Sequence, residues 1–238
     1  MKGVILAGGL GTRLRPLTLI TNKHLLPVYN KPMILYPLET LKRAGITDIM
    51  IVTGREHAGH FMHFLGSGHE HGVKCLYAIQ NTNNGGIADA LRHAEDFSQG
   101  QSIAVILGDN IFEQDFSTDV ASFTDGAKVF FKRMEDPTRF GVPVFDASGK
   151  KIMKIEEKPK KPKSNFAQTG FYIYDNDIFS IIKTLTPSGR GELEITDANN
   201  MYLKKKKLSH GIIKGLWSDA GTFDSLHKVS IEIAKRSL

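Results

Sequence analysis

A glycine-rich stretch with two arginines, Gly8-Gly9-Leu10-Gly11-Thr12-Arg13-Leu14-Arg15-Pro16, follows directly on the apolar run Lys2–Ala7. Glycines placed after a strand let the backbone approach a ligand closely and take positive φ. Successive N–H groups in such a turn form an anion nest, and Arg13 and Arg15 add cations at the same place. Such a loop either binds phosphate or is a structural turn. Its spacing excludes two familiar phosphate loops. A dinucleotide fingerprint begun at Gly9 and Gly11 needs glycine or alanine where Leu14 stands, and no Gly-Lys-Ser/Thr closes a P-loop.

Two acidic residues far apart in sequence, Asp109 and Asp219, are candidate metal ligands. Asp109 follows the apolar run 103–107, and ligands bind at the carboxyl ends of strands in open parallel sheets. Mg2+ takes a few carboxylates and completes its shell with phosphate oxygens and water. The alternative is that Asp109 caps a turn and Asp219 belongs to an Asp-Ala-Gly turn. His57, His60 and His63 share a predicted helix, but no carboxylate completes a known metal spacing. They read as solvated or capping residues.

These residues need elements to hold them. The first half of the chain alternates strand-like runs at 2–7, 48–53, 73–79 and 102–107 with helical segments at 32–44, 57–65 and 87–97. The runs VILA, IMIV and IAVIL are apolar on both faces, the mark of a parallel sheet covered by helices on both sides. After Asp109 shorter strands are predicted at 128–132, 141–146, 151–156 and 169–174, separated by turn residues such as Asp136-Pro137 and Ser148-Gly149. Helices at 176–185 and 194–203, a strand near 208–213 and a helix from Phe223 complete the chain. The pattern predicts one α/β domain over 1–238, with a doubly wound, Rossmann-like mixed sheet and a sheet-rich insertion.

Composition narrows the partners. The net charge of +6 favours an anionic partner. The lysines at 204–207 read as a solvated helix end, and 158–163, broken by Pro159 and Pro162, as an exposed loop. Neither interleaves aromatics as a nucleic-acid surface would. Cys75 is the only cysteine, so no intrachain disulfide forms, which fits a reducing compartment. It reads as a small buried residue on a strand. The first apolar run is only a strand long, and no run reaches the ~18 residues of a spanning helix. Neither a signal peptide nor a membrane partner is expected, and the cytoplasm is the default.

Further motifs carry a specific resemblance. Thr21-Asn22-Lys23-His24-Leu25-Leu26-Pro27-Val28 follows the glycine loop, and Leu107-Gly108-Asp109-Asn110, Arg139-Phe140-Gly141-Val142 and Glu156-Glu157-Lys158-Pro159 come after it. Thr169-Gly170 with Tyr172 and Tyr174, the run GELEITD from Gly191 to Asp197, and Trp217-Ser218-Asp219-Ala220-Gly221-Thr222 follow in order. Together these resemble the sugar nucleotidyltransferases, in particular the short form of the glucose-1-phosphate thymidylyltransferases. Longer members carry an extra C-terminal helical region, so regulation through such a tail is not expected. In the segment from Gln80 to Ala90 the chain is one residue longer than the family pattern, and Asp89 stands where a glutamine is common.

The resemblance implies a reaction and a division of labour. A phosphate oxygen of glucose-1-phosphate attacks the α-phosphorus of dTTP, giving dTDP-glucose and pyrophosphate. The attacking oxygen is already anionic, so no general base is needed; positioning and electrostatics supply the catalysis. Arg13 braces the triphosphate with the loop Gly8, Gly9, Leu10, Gly11 and Thr12, and Lys23 faces the α-phosphate. Gln80 and the backbone at Gly86 read the pyrimidine edge, which thymine and uracil share. UTP or another sugar-1-phosphate therefore stays open as the substrate. Lys158 holds the sugar phosphate, and Asn110, Gly141, Glu157 and Thr169 bond sugar hydroxyls. Asp109 and Asp219 hold Mg2+. Residues 1–110 would form a nucleotide-binding half, 111–225 a sugar-phosphate-binding half and 226–238 a C-terminal helix. A homo-oligomer is implied, with no nucleic acid.

Overall fold

The computed structural model of the protein describes residues 1–81, 85–149 and 151–236. The first half runs β1 (Lys2–Ala7), β2 (Pro27–Val28), β3 (Lys31–Pro32), α1 (Leu35–Arg43), β4 (Asp48–Gly54), α2 (Ala58–Leu65), β5 (Lys74–Gln80), α3 (Gly86–Arg92), α4 (Glu95–Ser98) and β6 (Ile103–Leu107). The second half runs β7 (Asn110–Phe112), α5 (Ser117–Ala121), β8 (Ala127–Arg133), β9 (Gly141–Phe145), β10 (Ile152–Glu157) and β11 (Phe166–Tyr174). It ends with α6 (Asp177–Ile182), α7 (Ile195–Lys204), β12 (Leu208–Ile212), β13 (Trp217–Asp219) and α8 (Phe223–Arg236).

Seven strands form the central sheet in the order β12-β8-β11-β6-β1-β4-β5. All neighbours pair in parallel except β11, which is antiparallel to both β6 and β8. The expected doubly wound mixed sheet is therefore present. Its central strands are buried on both faces because successive side chains point to opposite sides. Val4 and Leu6 of β1 pack into the core shared with α3, α4, α6 and α7, whereas Ile5 and Ala7 pack into the core shared with α1, α2 and α5. In the second core Phe171 stacks on Phe116 at 3.8 Å and meets Phe112 and Phe130 edge-on. Phe171→Ala is expected to cost about 3–5 kcal/mol of stability, measurable by denaturant unfolding; a loss below about 1 kcal/mol would show that the aromatic cluster closes over the gap.

Several expectations shift. The helix expected at 87–97 is two pieces, α3 and α4, because the chain turns at His93-Ala94. The C-terminal helix begins at Phe223, as the sequence pattern predicts, three residues before the 226–238 segment assigned to it, and residues 237–238 lie outside the described residues. Cys75 is half-buried on the edge strand β5 rather than fully inside, and burial raises its thiol pKa to about 11. His60 and His63 are exposed, as expected, and His57 sits at the start of α2 with its ring 5.5 Å from that of His60. No helix among the described residues is long and apolar enough to cross a membrane.

Candidate active site

β1 and β6 lie side by side and parallel, with Leu6 level with Leu107. From β1 the chain moves outward to β4 and β5, then returns to β6 on the other flank of β1. The loops that leave β1 and β6 therefore diverge and open a crevice, the switch point of a doubly wound sheet. The glycine loop leaves β1 and Gly108-Asp109 leaves β6. A cleft of about 800 Å3 opens there. Every residue predicted to form the site lines it except Thr169.

The turn chemistry of the glycine loop is visible at Gly11. Its φ of 63° is left-handed, and a Cβ there would stand 2.9 Å from Thr18 Cγ2 and 3.1 Å from Lys23 Cβ. Any side chain would thus be strained and would collide with the segment that carries Lys23. Thr18 Oγ1 donates to Gly11 O at 2.8 Å and ties the two segments together.

Lys23 starts a single helical turn, Lys23–Leu25, capped by Asn22, whose Oδ1 accepts from His24 N at 2.9 Å. The buried His24 ring lies against Gly108, where a Cβ would stand 2.7 Å from His24 Cδ2. Burial, aided by the Lys23 charge, lowers the His24 pKa to about 3, so the ring stays neutral. Its Nδ1 stands 2.7 Å from Asn22 Oδ1, a contact that a neutral ring protonated there makes as donor. This packing sets the Lys23 ammonium 2.5 Å from Asp109 Oδ2.

The two aspartates come together through short-strand pairing. β13 runs antiparallel to β7 with Asp219 opposite Asn110, and Ala220 N donates to Asp109 O at 2.8 Å. A Cβ placed on Gly221 would lie 3.4 Å from Asp109 Oδ2 and 3.6 Å from Asp219 Oδ2, with Arg13 Nη2 at 3.0 Å. Both carboxylates thus face one small space that the glycine leaves open. Burial works to raise the Asp109 carboxyl, but the Lys23 ammonium and hydrogen bonds from Lys23 and Asn110 outweigh it and hold it well below the usual range. Burial, then the Asp109 charge, push Asp219 the other way; Arg139, with Nη2 3.1 Å from Asp219 Oδ2, partly offsets them. Among the described residues no group of three or more His, Cys, Asp or Glu forms a closed metal cage. Two convergent carboxylates beside the glycine loop fit a cation that keeps open positions for phosphate and water, as Mg2+ does.

Asn110 is a structural knot. Its Nδ2 donates to Asp109 Oδ1 at 2.9 Å, and its Oδ1 accepts from Gly170 N at 2.9 Å and Trp217 Nε1 at 2.8 Å. Both oxygen lone pairs are used, so only one N–H is left for a sugar hydroxyl.

On the other wall β9 pairs with β10, setting Gly141 opposite Glu157. Glu157 Oε2 accepts from Thr196 Oγ1 at 2.5 Å and its Oε1 from Arg190 Nη2 at 3.3 Å. Arg190 also grips both oxygens of Glu194 at 2.7 Å. Lys158 is exposed, and its Nζ is 3.7 Å from Glu157 Oε1, a contact worth little in water. Thr169 corrects an expectation: it is fully buried and its Oγ1 donates to Phe130 O at 3.0 Å within the sheet. Along β11 it is the neighbours Gln168 and Gly170 that reach the cleft. Arg139, Arg190, Thr196 and Trp217 were not singled out from sequence; each sits in or beside a recognisable motif, but nothing in a motif says which charges pair.

A Nucleotidyl transferase family model matches residues 2–236. This chain belongs to that family. It is a nucleotidyltransferase by that membership, and named relatives agree. A glucose-1-phosphate thymidylyltransferase of Neisseria gonorrhoeae is 48% identical over 236 residues, covering 97% of this chain and 81% of that protein. One from Mycolicibacterium smegmatis is 45% identical over 95% of this chain and 80% of its own length. Among solved structures, a Bacillus anthracis chain described as a glucose-1-phosphate thymidylyltransferase, in complex with a sucrose, is 52% identical with a TM-score of 0.92, covering 98% of this chain and 94% of that one. A UDP-glucose pyrophosphorylase complexed with UDP-glucose shares the fold at 25% identity and a TM-score of 0.87, over 99% and 98% of the two chains.

Proposed function

We propose that this chain transfers the thymidylyl group of dTTP to glucose-1-phosphate, giving dTDP-glucose and pyrophosphate. One observation carries the reading: the glycine loop, the Lys23–Asp109 pair, Asp219 and the Glu157-Lys158 corner all line a single cleft. Naming of the relatives at 45–48% identity supports the choice of substrates.

The backbone N–H groups of Gly8, Gly9, Leu10, Gly11 and Thr12 cradle the triphosphate, and Arg13 braces it from the rim. Lys23 turns from Asp109 toward the α-phosphate and stabilises the charge that builds there and on the leaving pyrophosphate. Asp109 and Asp219 hold Mg2+, which when bound neutralises phosphate charge. Lys158 holds the phosphate of the sugar, and Glu157, fixed by Thr196 and Arg190, accepts from sugar hydroxyls. The N–H groups of Gly141 and Asn110 add further contacts. Gln80 and Gly86 receive the base. Residues 1–110 thus serve the nucleotide and 111–225 the sugar phosphate. We place the enzyme in the cytoplasm without nucleic-acid or membrane partners, on its short apolar runs and its basic runs free of aromatics, and as a homo-oligomer, on the family resemblance.

Pyrophosphate release across a panel of nucleotides and sugar-1-phosphates tests the reading. Turnover is expected with dTTP and glucose-1-phosphate. Exclusive use of UTP would move the enzyme to the chemistry named for its UDP-glucose neighbour. Lys158→Ala is expected to raise the KM for glucose-1-phosphate about 10- to 100-fold, the weight of one charge-assisted hydrogen bond, with little change for dTTP. An equal rise in both would contradict its role.

A further inference from the structure

We propose that Asp89 is a specificity-determining positioning residue: it locks the Gln80 amide in the one orientation that reads thymine or uracil and rejects cytosine. The inference rests on the dTTP reading above and concerns the base end of the same cleft.

Gln80 is the last residue of β5, almost fully buried, and it lines the cleft. Its Nε2 donates to Asp89 Oδ2 at 2.7 Å. Its Oε1 points the other way: a Cβ on the cleft residue Gly8 would stand 2.5 Å from it. Asp89 lies one turn into α3, is 3% exposed and does not line the cleft. It therefore touches the reader and not the base. Arg92, one turn further along α3, meets the other carboxylate oxygen at 2.9 Å. Each Asp89 oxygen thus has its own donor, and the carboxylate is held in place from behind.

The chemistry follows from the asymmetry of donors and acceptors. A carboxylate only accepts, whereas an amide has an accepting and a donating end. Turning the Gln80 amide over would set its oxygen against Asp89 Oδ2 at hydrogen-bonding distance, two acceptors face to face in a buried site. That arrangement loses a charge-assisted hydrogen bond and adds repulsion. In the locked orientation Oε1 can accept N3–H of thymine while the second Nε2–H donates to its O4. Cytosine has an acceptor at N3 and an amino donor at position 4, so it needs the amide reversed. With a neutral partner at position 89 both orientations are available. Glutamine, common at this position in the resembling family, can itself turn over; aspartate cannot.

The test compares wild type with Asp89→Asn on dTTP and dCTP, by pyrophosphate release with glucose-1-phosphate and by calorimetric binding of each nucleotide. Asparagine keeps the shape and offers either an acceptor or a donor to Gln80. The dTTP-to-dCTP ratio of kcat/KM is expected to fall at least about tenfold, through a gain with dCTP, while the KM for glucose-1-phosphate stays put. Arg92→Ala leaves the carboxylate in place and is expected to keep the preference. An unchanged ratio in Asp89→Asn, or an equal loss with both nucleotides, would overturn the inference. If asparagine prevents folding, Asp89→Ser poses the same question with a hydroxyl that donates or accepts. Wild-type turnover of neither nucleotide would remove the functional reading, and the calorimetric ratio would still decide the role of Asp89.

Discussion

Replacing Asp109 with asparagine is expected to lower kcat about 10²- to 10³-fold, the scale of losing one preorganised electrostatic contact. The change removes a full charge from the space that both carboxylates face and keeps the size of the side chain. Two stability effects oppose each other. Lys23 loses its anion, and breaking a buried pair from one side costs about 3–5 kcal/mol where water is excluded. Here the ammonium opens on the cleft, so solvent recovers most of that. The charge that raises the Asp219 carboxyl also disappears, which favours the folded state. The net change is expected to stay near about 1 kcal/mol, so activity and fold separate cleanly. Denaturant unfolding alongside pyrophosphate release reads both. A kcat within twofold of wild type would take Asp109 out of the chemistry.

Lys23→Met should have a comparable effect for a different reason. The ammonium sits 2.5 Å from Asp109 Oδ2 and 3.6 Å from where a Cβ on Gly9 would stand, between the glycine loop and the Asp109 carboxylate. It is the cation best placed to follow charge from the triphosphate onto the departing pyrophosphate. Methionine keeps the length and much of the packing of the stem. A fall of about 100-fold in kcat is expected, with the KM for dTTP changed much less. Lys23→Arg should recover little, because the planar guanidinium cannot occupy the point that the compact ammonium holds. An effect confined to KM would mean that Lys23 binds nucleotide without acting on the transition state.

The regular part of the fold was legible because burial leaves a period. β1 matches its predicted bounds, and β4 and β6 fall within one residue of theirs, since strands covered on both faces read as unbroken apolar runs; the half-exposed edge strand β5 also falls within one residue. The helix at 87–97 was misread because its apolar residues keep the helical period through a turn at His93-Ala94 that no glycine or proline marks. β7 and β13 were not foreseen at all. Three residues hold no periodicity, and their pairing depends on a partner a hundred positions away. Thr169 was misassigned for a related reason: motif membership marks a position, but alternation along β11 decides which side chain faces the cleft.

The residue types needed for phosphate chemistry, the strand after which the glycine turn falls and the order of the motifs were set by the sequence alone. They follow from local rules: what glycine permits, what a buried strand requires, what an anion attracts. Only the tertiary structure decided that Asp109 and Asp219 share one space, that Lys23 and Arg139 each neutralise one of them, and that Asp89 grips Gln80 from behind. Those are contacts between distant segments, fixed by strand pairing and core packing, and distance in space has no local signature in the chain.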